Sequence, residues 1–431
     1  MNSKENLKTI LLVVLVLMSI ALTWSIWSYR YPFQENTDEE KESLEPLSPY
    51  EKNMASLIKP MQVFVHKEGQ YYGTYEEGIM DELWDQVGEL KLKNDMQVEK
   101  DINQTNKNYI EMRFFGEVPF TVLKNQLEWF GTQELYDYDY MFNKIVIEYE
   151  NDRLEKIRFV NTSNSSIRSF TISSSPNKWQ ELIQTTDEKK NWSEFIVFNN
   201  LLLPKEAPEI DIKYVSKEEI TENELKQALF TDTRNLEENT LGKTTIIRDA
   251  RNTLTIEDDL IFTFQYPKVQ DFNNEQMDSV SMLTSAVTHV NQVGGWMVSE
   301  DFRLKMIEEQ EVIFEQTIDN VPVILDENNY AIKVTLSNGE NQLVVESFSR
   351  PITYFGSMTS NQTREMENAE VIEELIKRNY SETELKNIFI GYDELKEGAH
   401  SRVDLTPEWY VVTEYDSIEK LNKEGENSEL E

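Results

Sequence analysis

The chain has 431 residues, 39% of them hydrophobic and 11% aromatic, which excludes a disordered polymer and exceeds what one ordinary domain uses. Its net charge of −37 excludes nucleic acid as a partner and repels anionic membrane faces and wall polymers, while tolerating cations and basic partners. It contains no cysteine, so neither a disulfide framework nor a lipidated thiol is available.

The first element is an apolar run. Thr9 to Trp27 carries no charge over 19 residues, which as a helix spans roughly 28 Å, close to the hydrocarbon thickness of a bilayer. Ser19-Ile20-Ala21 resembles a small-x-small cleavage site, but Leu22, Trp24, Ile26 and Trp27 continue the apolar character beyond a short signal segment. Trp24, Trp27, Tyr29 and Tyr31 form the aromatic belt of a helix leaving a membrane. A retained transmembrane helix over 9–29 is therefore predicted. Lys4 and Lys8 precede it and an acidic run follows Arg30, so residues 1–8 form a cytoplasmic tail and the bulk lies outside. Within the helix Ser19 and Thr23 are four apart, on one face, where a neighbouring helix could approach; their hydroxyls could equally bond the preceding turn.

Residues 30–50 are charged and proline-bearing, an acidic linker. "MQVFVHKEGQYYGTY" (61–75) predicts a hairpin turning at Glu68-Gly69, "GIMDELWDQVGEL" (78–90) a helix, "YIEMRFF" a strand and "TVLKNQLEWF" (121–130) a helix. Asn151-Asp152 turns a second hairpin. "NNLLLPKEAPEI" (199–210), with two prolines, reads as a boundary. Beyond it one pattern occurs twice. Thr221 and Glu224 cap a helix before three strands ending at Pro267; a helix over 275–293 precedes strands ending at Pro351, with Asn338-Gly339 as the last turn. A helix over 364–380, burying Ala369, Ile372, Leu375 and Ile376, precedes two final strands. The fold class is α+β: antiparallel sheets with packed helices in two or three extracytoplasmic domains, at 51–200, 201–270 and 271–431.

Catalytic patterns are not found. His66, His289 and His400 lack metal-spaced partners. Ser175-x-x-Lys178 and Ser417-x-x-Lys420 lack the companion motifs of penicillin-binding enzymes. Gly242-Lys243-Thr244 lacks the first glycine of a phosphate loop, and Asp326-x-Asn328 lacks the turn glycine of a calcium loop. No catalytic, cofactor or metal residue is assigned. His289 reads as a satisfied or exposed helix residue, and Trp296 as a core residue at a helix end.

Several stretches together resemble the YycH (WalH) family: "VNQVGGWMVSEDFRL" (290–304), "TTIIRDARNTLTIEDDLIFTFQYP", "NVPVI", "VDLTPEWYVV" and the N-terminal layout. Asn320-Val321 stands where the family is expected to have Asn-Gly, and Gln292-Val293 where a His is usual. The resemblance implies a non-enzymatic regulator of low-GC Gram-positive bacteria. It implies as partners the essential WalK-like sensor histidine kinase of the WalK/WalR system, which controls cell-wall metabolism, a YycI (WalI)-like single-pass protein, and the lipid bilayer. It also implies that 201–431 resembles YycI. A membrane-tethered ligand- or wall-binding module is the alternative.

Overall fold

The computed structural model describes residues 44–421 apart from 101–107, 128, 131–139, 152, 177–178, 180–190, 269–276, 299, 325–330, 341, 381–384 and 395–401. The expected membrane helix at 9–29, with Ser19, Thr23, Trp24, Trp27, Tyr29 and Tyr31, lies outside the described residues, as do His400 and the 326–328 pattern. Among the described residues no helix is long and apolar enough to cross a membrane.

After the single turn of α1 (Met54–Leu57), β1 (Gln62–Lys67) and β2 (Gln70–Thr74) form the expected hairpin, with Glu68 and Gly69 at φ 51° and 83°. Helix α2 (Glu77–Gly88) buries Met80, Leu83, Trp84 and Val87, a spacing that keeps them on one face. The short β3 (Lys91–Leu92) and β4 (Gln97–Glu99) precede the long β5 (Asn108–Pro119) and α3 (Phe120–Gln126). That helix ends four residues before the sequence pattern suggests. Beyond it Trp129 is buried, its indole N–H donating to the Val87 carbonyl at 2.8 Å. A meander of β6 (Met141–Glu150), β7 (Arg153–Asn161) and β8 (Ser166–Ser174) follows, then β9 (Ser193–Phe198) and β10 (Leu201–Pro204). Together they make a ten-stranded sheet in the order β10-β9-β2-β1-β5-β6-β7-β8-β3, with β4 also on β8.

The segment "NNLLLP" is a strand and its turn. Asn199 and Asn200 take φ 48° and 67°, a conformation asparagine tolerates, and Leu201 and Leu203 are buried. Pro204 is compatible with a strand because β10 is an edge.

The second half opens with β11 (Glu209–Glu219) and α4 (Glu222–Leu229), whose Thr221/Glu224 capping box forms as the sequence predicts. A four-strand meander follows: β12 (Glu237–Leu241), β13 (Thr244–Arg248), β14 (Thr253–Glu257) and β15 (Ile261–Gln265). Helix α5 (Ser279–Val293) then leads into β16 (Asp301–Glu308), β17 (Glu311–Ile318), the two-residue β18 (Val321–Pro322), β19 (Ala331–Asn338) and β20 (Leu343–Pro351). The β19–β20 connection runs through 339–342 instead of closing at Asn338-Gly339, and Gly339 donates to the Gln342 carbonyl.

The two meanders share one sheet in the order β12-β13-β14-β15-β20-β19-β17-β16, one meander followed by the other reversed. The repeat in the sequence is therefore a repeat in space. Its two terminal strands pair antiparallel, Ile261 opposite Pro351 and Gln265 opposite Ser347. A division at residue 270 passes between β15 and α5, two parts of one sheet-and-helix body.

The third sheet, β21-β11-β23-β22, takes β21 (Thr353–Glu365), β22 (Leu385–Glu394) and β23 (Arg402–Thr413), with β24 (Ile418–Lys420) on β23. Helix α6 (Ala369–Asn379) covers it, N-capped by Asn368. It buries Ala369, Ile372, Leu375 and Ile376 against Ile388, Ile390, Trp409 and Val411, and Leu201 and Leu203 of the first sheet join that cluster. The helix starts five residues later than its periodicity suggests, because 364–365 belong to β21. All the pairings among the described strands are antiparallel, apart from one isolated bridge between Val323 and Tyr392. From Leu44 onward the chain is one compact unit.

Candidate functional site

The "VNQVGGWMVSEDFRL" stretch runs from the last turn of α5 into β16. Helix α5 ends in a left-handed Gly294 (φ 67°), and Gly295 N–H closes the turn on the Val290 carbonyl at 2.8 Å. Glycine is needed at 294 for a second reason. A Cβ there would lie 2.4 Å from the Ser48 carbonyl oxygen, so the incoming chain passes directly over it.

That incoming chain, residues 47–56, is strapped to the motif along its length. Leu47 N–H donates to the Val293 carbonyl at 3.0 Å, and Tyr50 forms an antiparallel bridge with Trp296. Asn291 clasps the strap with both ends of its amide. Its Oδ1 accepts from Lys52 N–H at 3.0 Å and its Nδ2 donates to the Lys52 carbonyl at 3.0 Å. The same Oδ1 accepts from the Trp296 indole at 2.6 Å, fixing the amide's orientation. Lys52 Nζ reaches Asp301 at 3.1 Å, and Arg303, almost wholly buried, pairs with Asp301 at 2.6 Å and donates to the Ser56 carbonyl at 3.4 Å. Burial pushes the Asp301 carboxyl up, but Arg303 and Lys52 outweigh it and hold the group below the ordinary carboxylate range.

Behind the clasp lies a second buried charge. Arg350, fully buried on β20, bonds both carboxylate oxygens of Glu300 at 3.1 and 3.2 Å, the Pro351 carbonyl at 3.0 Å and the Gly295 carbonyl. Glu300 also accepts from Met297 N–H at 3.0 Å, so the loop 294–300 is held from beneath. Trp296 is fully buried between Phe302 and Phe314, the core placement expected for it. His289 is buried as well, 3.2 Å from the Tyr266 hydroxyl, and burial lowers its pKa to about 4. It is a satisfied core histidine. The departure at Asn320-Val321 is harmless to the backbone: the left-handed positions fall on Asp319 and Asn320, and Asn320 Oδ1 accepts from Arg303 at 2.5 Å.

The sheets are joined at a second seam. Gln62 donates to the Ile388 carbonyl at 2.9 Å, Arg113 to Asn387 at 2.8 Å, and Phe115 meets Phe389 edge-on. Beside it is a cavity of about 30 Å³ lined by Phe64, Tyr75, Asn320, Ile390 and Trp409 among others. Asn320 Nδ2 and Trp409 Nε1 have no partner among the described residues. That volume suits about two waters, which would satisfy those donors, and is too small for a sugar or peptide.

The weaker patterns resolve structurally. Gly242-Lys243 turns the β12–β13 hairpin. Lys420 bonds Asp393 at 2.9 Å, and Ser417 bonds Thr413 and Glu419, so no Ser–Lys pair exists there. Among the described residues no three His, Asp or Glu side chains gather as metal ligands.

The sequence singled out 290–304 without indicating what it holds. Asn291 and Arg350 carry no local signature, because Lys52 and Glu300, which they bond, lie far along the chain.

Family models described as "YycH protein, N-terminal domain" and "YycH protein, C-terminal domain" match residues 5–191 and 198–424. The chain belongs to the YycH family. A curated relative, "Two-component system WalR/WalK regulatory protein YycH" of Bacillus subtilis (strain 168), is 23% identical, with 99% of this chain and 100% of the relative covered. The crystal structure of YycH from Bacillus subtilis superposes with a TM-score of 0.70 at 18% identity, over 88% of this chain and 100% of that one. The likeness confirms the fold of mainly antiparallel sheets with few helices.

Proposed function

We propose that this protein is a non-enzymatic, membrane-anchored regulator of a WalK-like sensor histidine kinase, working by contact. Full-length similarity to a regulatory protein of the WalR/WalK system carries the reading. In it, residues 9–29 cross the membrane with the N-terminus cytoplasmic, Trp24, Trp27, Tyr29 and Tyr31 sit at the outer interface, and the linker leads to the folded body outside. Kinase control affects cell-wall metabolism, and a YycI-like single-pass protein is the second partner. In this reading the half 201–431, expected to resemble that partner, supplies the outer contact surface.

In lipid, helix association depends on close packing and polar contacts, and Ser19 and Thr23 offer a small step on one face. The clasp supports the reading: residues 47–56, the last four of the expected linker and the six after them, are seated on the family motif, so displacement of the anchor would be transmitted to the second half. The cavity at the seam gives little support to a ligand-binding module. The test is exchange of residues 9–29 for an unrelated single-pass helix of equal length, beside Ser19→Leu/Thr23→Leu. Loss of kinase co-purification and altered kinase output, at unchanged abundance, is expected. Unchanged output in both variants would reduce the helix to a tether.

A further inference from the structure

We propose that residues 47–56 form a latch whose seating on α5 and β16 sets how far the folded body can reach from its membrane anchor. This rests on the anchored-regulator reading and adds a controllable length to it.

The strap belongs to no sheet strand and to no helix longer than the single turn of α1; it is fixed by what it touches. Its hydrogen bonds run to Asn291–Arg303 and are mostly backbone-directed: Leu47 N–H, both backbone groups of Lys52, and the Ser56 carbonyl, while Leu47 and Met54 also pack on the core and Met54 lies against Thr284. Four of the motif's positions serve it directly. Asn291 clasps it, Gly294 lets it pass, Asp301 takes the Lys52 ammonium, and Arg303 takes the end of α1. Trp296, by bonding Asn291, holds the clasp in the orientation that both Lys52 bonds need.

Beyond the strap the chain is tied independently. Lys59 pairs with Asp81 at 2.9 Å, and Met61 N–H donates to the Arg113 carbonyl at 2.7 Å. Opening the latch therefore frees the ten residues 47–56 and leaves the first sheet intact. Ten extended residues add roughly 33 Å of tether. A body acting by contact on a membrane-embedded kinase is sensitive to a change of that size, which exceeds the bilayer core itself. With the latch seated the tether joins the body at Leu47; with it open, at residue 57.

The experiment uses the full chain in membranes, in two arms. Hydrogen exchange reads the latch itself: the Leu47 and Lys52 amides should be protected in the wild type. Asn291→Ala should exchange them about tenfold to a hundredfold faster, while β17 stays protected. Wild-type amides at 47–52 exchanging at the rate of an unstructured peptide would overturn the latch, whatever the protein regulates.

The second arm reads length. Inserting ten Gly/Ser residues in the linker of the wild type should reproduce the Asn291→Ala effect on kinase output. Deleting ten linker residues should restore output in Asn291→Ala. If Asn291→Ala alters output and neither length change moves it, reach is not what the latch controls. If kinase output stays at the wild-type level even when the whole protein is absent, the regulator reading fails instead.

Discussion

The two helix-and-meander units of the nine-stranded sheet follow one plan and differ in what they hold. The α4 unit ends in β12, exposed at all five positions, with Glu237 and Glu238 charging its edge. That edge is guarded and empty. In the α5 unit the corresponding outer strand, β16, begins at the clasp, and Gly116 of β5 lies so close to it that a Cβ would collide with the Lys305 carbonyl. Charges follow the same division. The first unit's hairpin carries an exposed Lys243–Asp258 pair at 3.4 Å, while the second buries Arg350 with Glu300. Two units of similar architecture thus show that the sheet itself needs neither buried charge nor a covered edge. In the second unit the buried pair braces the turn after α5, and the covered edge packs on β5 of the first sheet.

The comparison can be broken most forcefully at the buried pair. Glu300→Leu leaves Arg350 buried without its carboxylate and should cost about 3–5 kcal/mol in urea denaturation. Asp258→Asn, at the exposed pair of the first unit, should stay within about 0.5 kcal/mol. Equal effects would mean that the two units share their load.

The glycines sharpen the contrast further. Gly242 and Gly294 have nearly the same left-handed φ, 65° and 67°, but only Gly294 is crowded by the strap. Gly242→Ala should cost about 1 kcal/mol, the backbone penalty alone. Gly294→Ala should cost about 2–3 kcal/mol and open the chain to protease before residue 57, since the strap must lift.

At neutral pH the change hardest to see is acid sensitivity in the second unit, which emerges only as pH falls. His289 has a folded pKa of about 4, below its ordinary 6.5, so the unfolded chain binds the extra proton first. The stability it permits is complete above pH 6.5 and declines as pH falls toward 4, by roughly 3 kcal/mol. His289→Gln should flatten that part of a pH–stability curve measured by thermal melts.

What could be read from the sequence divides along physical lines. The Glu68-Gly69 turn, the Thr221/Glu224 cap and the buried face of α6 are local, and all three were legible in neighbouring residues. The repeat was legible because each copy buries one face of its strands. Strands β12 and β21 were not, since β12 is wholly exposed and Ser357–Thr363 of β21 is exposed on both faces, leaving no alternation to see. The prolines of 199–210 hid strand β10, because a proline at an edge strand looks in the sequence like one between domains. Of the site, the motif was visible and its purpose was not: Lys52 and Asn291 are 239 residues apart, and a buried Arg is written in the same letter as a solvated one.

That separation governs the order in which the molecule can assemble. In a chain made from its N-terminus, the strap is synthesised almost first, and its seat is not complete until Arg303 has followed. For most of synthesis residues 47–56 have nothing to dock on, while the first sheet can close around β1, β5 and β6 without them. The loop penalty for so distant a contact rises only logarithmically, about 0.6 kcal/mol for each doubling, so lateness rather than weakness is the result. A docked strap therefore reports that the polypeptide has been completed well into its second half. A truncated product lacking α5 and β16 would display residues 47–56 as a loose segment.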